Sequence, residues 1–181
     1  MKVVDRGKYV WYNGFKLEKE GTNMAKFKAF SGTVYHQVDD KGRVRIPSKF
    51  FLKDDGGEAA VKNDDKNYAM ELYFMAGTSG CISVYEKEAL EVRLQALMEI
   101  PNSSEKVVMA KRKIMGSVER VETDKQGRVV IPTPLRLYAK INRELVTVGN
   151  IDHFEIWAKE VYEPMDSEMS FKSAYSEVGF F

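Results

Sequence analysis

Asp39-Asp40-Lys41-Gly42-Arg43-Val44-Arg45-Ile46-Pro47 returns later in the same chain as Asp124-Lys125-Gln126-Gly127-Arg128-Val129-Val130-Ile131-Pro132. The offset is constant at 85 residues (39 to 124, 43 to 128, 47 to 132), and the shared pattern D-x-x-G-R-V-x-I-P is too ordered to arise from composition. A second echo sets Cys81-Ile82-Ser83-Val84-Tyr85-Glu86-Lys87-Glu88 against His153-Phe154-Glu155-Ile156-Trp157-Ala158-Lys159-Glu160, now at an offset of 72 (81 to 153, 85 to 157). The first copy therefore carries 13 more residues between its motifs, and the Asp-, Gly- and Lys-rich stretch 54–66 is their natural place, read as a solvated loop.

Each copy parses alike. Thr33–Val38 and Val118–Thr123 are rich in β-branched and aromatic side chains and read as strands. Gly42 and Gly127 follow as turn residues able to take a positive φ, so a tight hairpin is expected. Val44-Arg45-Ile46 and Val129-Val130-Ile131 form the returning strand, with Val44, Ile46, Val129 and Ile131 facing one side. Pro47 and Pro132 end it, since proline cannot donate to a ladder. Ser48 and Thr133 are expected to cap a short helix, with Pro134 at its first position and Leu135, Tyr138 and Ile141 beneath it. A strand pair closes each copy, Met70–Phe74 with Ile82–Tyr85 and Leu145–Val148 with Phe154–Trp157. Between the copies, Leu90, Leu94 and Leu97 mark the apolar face of a helix stopped by Pro101, and Asn102 with Glu105 resembles a capping box opening a second helix through Met115.

The whole is an α+β chain, mainly β, of 181 residues and 20.7 kDa. Its divisions are an N-terminal extension (1–29), a first repeat (30–101), a connecting helix (102–115), a second repeat (116–162) and a C-terminal stretch (163–181). Apolar residues at 44% and aromatics at 12% support a packed core and exclude a disordered chain. No apolar run approaches the roughly 18 residues of a membrane helix, and the N-terminus lacks the apolar core of a secretory signal. Cys81 is the only cysteine, which excludes an intrachain disulfide or thiolate-rich metal site and fits a reducing cytosol. His36 and His153 have no ligand-spaced companions, and no phosphate loop, dinucleotide fingerprint or nucleophile elbow occurs. No metal, cofactor or small-molecule substrate is expected, and an enzyme is the weakest class.

The repeated residues that are neither core nor turn are Asp39, Arg43, Asp124 and Arg128. An arginine just after a hairpin glycine stands where a two-stranded ribbon exposes its end. Such a ribbon fits the major groove of DNA, and a guanidinium grips guanine or phosphate. The aspartate can hold the guanidinium in one rotamer and so lower its ordering cost on binding. Equally, Asp and Arg can simply close the hairpin through an exposed salt bridge, which contributes little. Lys111-Arg112-Lys113 reads as a solvated helix face. Tyr85 and Trp157 read as core or interface anchors, and the two histidines as ordinary strand residues.

The doubled D-x-x-G-R-V-x-I-P signature, the intervening helical pair, Ser31-Gly32 before the first strand and the Phe154–Trp157 string together resemble the MraZ family over about Phe30 to Tyr162. That family is a duplicated member of the SpoVT/AbrB-like swapped-hairpin superfamily. The resemblance implies two tandem swapped-hairpin repeats forming a pseudo-two-fold unit, with short helices between and after them. It also implies a bacterial transcriptional regulator, in the cytoplasm and on the nucleoid, that represses its own division and cell-wall gene cluster. Its partners would be double-stranded DNA with short direct repeats upstream of the promoter, and itself as a ring-like homo-oligomer, with no membrane. Carried over by position, Arg43 and Arg128 become the leading DNA contacts and Asp39, Gly42, Asp124 and Gly127 their hairpin supports. Lys41, Arg45, Lys125 and Gln126 become flanking contacts.

Gln126 stands where the first copy has Lys41, so the first hairpin is expected to supply more electrostatic affinity. The formal charge of +1 is answered by assembly: a ring presents several modest basic edges, and linked sites raise avidity by roughly 10²–10⁴. The alternative reading is a non-catalytic ring-forming assembly or an antitoxin-like protein-binding module. At the N-terminus, 1–23 is either a packed extension or a start-site error ahead of Met24. The error reading rests on Lys19-Glu20-Gly21, which a purine-rich ribosome-binding string would encode. The stretch after Tyr162 reads as a poorly anchored tail.

Overall fold

Both copies begin with a strand that its own returning strand does not pair with. The computed structural model describes residues 29–51 and 70–179 and, ahead of them, the strands β1 (Val3–Arg6), β2 (Tyr9–Tyr12) and β3 (Phe15–Glu18), an antiparallel sheet in that order. The expected loop at 54–66 and the start at Met24 lie outside the described residues. The first copy supplies β4 (Thr33–Gln37), β5 (Arg43–Arg45), a 3₁₀ turn (Ser48–Phe50), β6 (Glu71–Ala76) and β7 (Ile82–Tyr85). Two helices follow, α1 (Lys87–Glu99) and α2 (Glu105–Met115). The second copy supplies β8 (Glu119–Glu122), β9 (Arg128–Val130), α3 (Thr133–Tyr138), β10 (Glu144–Asn150) and β11 (His153–Ala158). Helices α4 (Lys159–Glu168) and α5 (Phe171–Val178) complete the described chain.

One six-stranded antiparallel sheet runs β4-β10-β11-β7-β6-β8, and among the described residues β5 pairs with β9 as a separate two-stranded ribbon. Exchanging the copies leaves that order unchanged: β4 lies on the second copy's closing hairpin, and β8 on the first copy's. The register has the same symmetry. Ile82 faces Ile156 and Val84 faces Phe154 about a centre at Ser83 and Glu155, while Val44 faces Val129 at the centre of β5–β9. The hairpin read within each copy is thus corrected: Asp39 N–H donates to Arg43 O (2.8 Å), after which β5 leaves β4 for β9. Burial supplies the reason. Val44 and Val129 are both inaccessible, and lie in one core with Ile46, Ile131, Leu72, Phe74, Leu145 and Ile156. Crossing the two strands covers both valines at once, an apolar gain that grows with the area removed from water. An aromatic group completes this core, with Phe50 stacked on Phe154 at 5.0 Å and Phe30 edge-on to both.

Several local expectations are corrected. Pro47 and Pro132, not Ser48 and Thr133, occupy the cap positions, with no side-chain cap bond; Thr133 and Pro134 are the first two helical residues. The prolines' carbonyls accept from Phe50 N–H and Arg136 N–H (both 2.9 Å), so the strand passes directly into the turn. Leu135 and Ile141 are buried, but Tyr138 is exposed and its hydroxyl donates to Gly77 O (2.6 Å). Ser104 rather than Asn102 caps α2, its Oγ accepting from Val107 N–H (3.3 Å). On α1 only Leu90 is buried, with Leu94 and Leu97 half-covered. The stretch read as a tail is helical: Ser170 caps α5, and Gly179 ends it in the left-handed conformation (φ 60°). Its surface stays open, with Phe171 85% exposed.

Gly149 is fixed by a close approach. Its N–H donates to Gly32 O (2.9 Å), and a Cβ there would collide with Ser31 N and Phe30 C, which are backbone atoms unable to swing aside. Gly149→Ala should therefore destabilise the fold by about 1–3 kcal/mol through overpacking. Urea unfolding checks this, and an unchanged midpoint would contradict it.

Candidate nucleic-acid interface

The D-x-x-G-R pattern is a clamp built around one carboxylate. Asp39 Oδ1 accepts the backbone N–H groups of Lys41 (2.9 Å) and Arg43 (2.8 Å), while Gly42 N–H donates to Asp39 O (2.9 Å). Gly42 has φ 75°, a conformation most side chains resist. The other carboxylate oxygen, Oδ2, receives Arg43 Nε (2.7 Å) and Nη2 (2.7 Å). The second copy repeats every bond: Gln126 N–H (2.8 Å) and Arg128 N–H (2.9 Å) to Asp124 Oδ1, then Arg128 Nε (2.7 Å) and Nη2 (2.7 Å) to Oδ2, with Gly127 at φ 73°. One residue thus satisfies the turn's donors and orients the arginine. Each guanidinium has five N–H donors; the clamp takes two, leaving three directed away from the aspartate.

Strand alternation then sorts the ribbon. Val44 and Val129 point inward, while Arg43, Arg45, Arg128 and Val130 lie on the outer face. The expectation of an arginine at the tip of each hairpin is replaced by a shared platform. Arg43 opposes Val130 at one end and Arg45 opposes Arg128 at the other. Arg43 and Arg128 are half-buried by their clamps; Arg45, Lys41, Lys125 and Gln126 are exposed. The same register alters the division of charge between the copies. Arg45 of the first copy stands beside Arg128 and the turn carrying Lys125, so the first copy's cations are split between both ends. Sequence reading missed two neighbours. Arg136 on α3 brings its Nη1 to within 3.4 Å of where a Gly42 Cβ would lie, while its other nitrogens bond Ile141 O (3.0 Å) and Asn142 O (2.7 Å). Val130 was legible as the repeat equivalent of Arg45, 85 residues on.

The remaining singled-out residues take structural places. Arg112 and Lys113 lie in the last turn of α2, where cations complement the helix dipole, and Lys111 Nζ donates to Ile100 O (2.5 Å). Tyr85 and Trp157 are buried on the sheet face opposite the ribbon; Tyr85 stacks on His153 at 4.6 Å, and Trp157 Nε1 donates to Glu155 (3.0 Å). Burial works against a charged His153, yet its contacts with Asp152 (2.7 Å) and Glu155 (3.4 Å) outweigh it and raise its pKa. His36, bonded to Thr147 Oγ1 (2.6 Å), is brought down to about 4 by burial. Burial pushes the Cys81 thiol up to about 12, far from a reactive thiolate. Among the described residues no group of three or more His, Cys, Asp or Glu is placed to hold a metal, and no helix is long and apolar enough to cross a membrane.

Comparison with known proteins finds relatives of this chain. Residues 114–177 match the family described as "MraZ protein, putative antitoxin-like", so the likeness runs beyond Tyr162 and takes in α4 and α5. The chain is 34% identical over 134 residues to the transcriptional regulator MraZ of Lachnoclostridium phytofermentans, covering 74% of this chain and 84% of that protein. It is 32% identical over 141 residues to that of Finegoldia magna (78% and 89%), and 33% identical over 139 residues to that of Lactiplantibacillus plantarum (77% and 89%).

The clamps carry a pH dependence. The Arg43 backbone N–H has the largest influence on Asp39 and lowers its pKa; partial desolvation opposes this, and the guanidinium adds to it. At Asp124 the Arg128 guanidinium leads, followed by its backbone N–H, and the carboxyl falls to about 2 from 3.8. A carboxylate with a depressed folded pKa stabilises the fold fully above its unfolded value and loses that contribution as pH falls through the folded one. The Arg128 Nε–H nuclear magnetic resonance signal should therefore stay protected above about pH 4 and lose protection toward pH 2. Protection independent of Asp124→Asn substitution would contradict the clamp.

Proposed function

This chain belongs to the MraZ family, and from that membership we propose that it is a non-enzymatic transcriptional regulator that binds double-stranded DNA through the outer face of β5–β9. The observation that carries the reading is the shared platform: three arginines on one face of a two-stranded ribbon, two of them held ready by aspartates. A ribbon of this kind fits the major groove, where arginine can donate to guanine O6 and N7. The clamps reduce the rotamer freedom lost on binding, so more of the contact energy appears as affinity. In this reading the turn residues Lys41 and Lys125 contact phosphate, Gln126 contacts an adenine edge or a phosphate, and Arg45, expected at a flanking phosphate, instead shares a guanine edge with Arg128, which it faces across the ribbon.

The finer reading follows the family resemblance. The targets are short direct repeats upstream of the chain's own promoter, the effect is repression of a division and cell-wall gene cluster, and the place is the cytoplasm and nucleoid. A ring of subunits supplies the affinity that one chain of formal charge +1 lacks, because consecutive repeats engage consecutive platforms.

Fluorescence anisotropy with duplex DNA from upstream of the gene tests this. Binding should weaken steeply with salt, as counterion release requires. Arg43→Ala and Arg128→Ala should each reduce specific affinity by about 1–3 kcal/mol while the thermal midpoint shows the variants folded. Unchanged binding in both variants would reject the site. Absence of binding by the natural sequence to any upstream repeat would favour a protein-binding assembly module instead.

A further inference from the structure

The ribbon is two-fold in register and not two-fold in chemistry. About the Val44–Val129 centre, Arg43 corresponds to Arg128 and Arg45 corresponds to Val130. The first pair is identical down to its aspartate clamp; the second sets a cation against an aliphatic group. Val130 is 58% exposed on the outer face and takes no part in the core. A lone exposed valine is ordinary on a protein surface. This one stands directly across from Arg43, in the place where symmetry would have put another arginine. The adjoining turns extend the difference. The turn at the Arg43–Val130 end carries Asp40 and Lys41, with Arg136 behind Gly42, and the turn at the Arg45–Arg128 end carries Lys125 and Gln126.

We propose that Val130 is a specificity-determining residue that contacts the 5-methyl group of a thymine in the major groove, and that its inequality with Arg45 sets the direction in which each subunit lies on DNA. The inference rests on the DNA-binding reading above. Thymine's methyl is the apolar group that base pairs display on that edge, and an aliphatic side chain is its complement. A guanidinium in the same place would favour guanine. The two ends of one ribbon thus select different bases: guanine where Arg45 and Arg128 meet, thymine where Val130 faces Arg43. A subunit with this platform reads an oriented site, although its backbone is nearly symmetric.

The test uses the full chain. In vitro selection from randomised duplexes is run for the natural sequence, Val130→Ala, Val130→Arg and Arg45→Val. Anisotropy then measures the natural sequence's selected duplex with each thymine replaced in turn by deoxyuridine, which removes only the methyl. One replacement should weaken natural-sequence binding about three- to fivefold, the scale of one buried methyl, and Val130→Ala should lose that sensitivity. Val130→Arg should replace thymine by guanine at that position, so that both ends of the ribbon select guanine. Arg45→Val should do the converse. Val130→Thr, nearly isosteric and keeping one methyl, should retain part of the sensitivity and serves where the arginine variant does not fold.

A Val130→Ala protein with every deoxyuridine sensitivity of the natural sequence, or a Val130→Arg protein with an unchanged selected motif, would overturn the inference and leave DNA binding standing. Failure of the natural sequence to enrich any duplex would overturn both. A change of assembly mass in the Val130 variants with base preference unchanged would assign the valine to a subunit contact and reject its role in reading.

Discussion

Everything else in the fold follows from the burial of Val44 against Val129. Each valine lies on a strand of only three residues, too short to cover an apolar face alone. Paired across the copies, the two strands close one core that both copies share. Once β5 and β9 are crossed, β4 and β8 are carried to the opposite copy's hairpin, and the six-stranded order follows. The repeats are therefore interwoven rather than placed side by side. Neither has a complete sheet or core without the other.

The same crossing decides what faces outward. Strand alternation puts the residues flanking each buried valine on the opposite side of the ribbon, so inward packing and the outer row of arginines are two results of one register. The aspartate clamp refines that row. It serves the turn with one oxygen and the guanidinium with the other, so one carboxylate both closes the turn and holds the arginine in a single orientation. Holding an arginine this way adds little stability at an exposed site, but reduces the disorder that a binding partner must overcome.

Much of this was legible beforehand. The doubled motif marked both turns, both returning strands and the inward positions of Val44, Ile46, Val129 and Ile131, all of which are buried. The closing strand pairs were visible from their β-branched and aromatic runs. Helix starts were read less well: Ser48, Thr133 and Asn102 have the right side chains for caps, but the backbone leaves its extended conformation elsewhere, and propensity is a weak guide to where that happens. The stretch after Tyr162 looked like a tail because its apolar residues are sparse. It is helical nonetheless, with a serine cap and a glycine stop that lie in plain view at Ser170 and Gly179.

The amino-acid order by itself determined the duplication, the turn chemistry and the identity of the paired aspartates and arginines, because these depend on contacts within five consecutive residues. Which strand lies beside which was decided only by the tertiary structure. A three-residue strand can pair with its own neighbour or with its counterpart from the other copy, and nothing local distinguishes the two. The choice belongs to the shared core, which removes both valines from water only in the crossed arrangement. That crossing sets Arg45 beside Arg128 and Val130 beside Arg43, a juxtaposition that spacing along the chain does not contain.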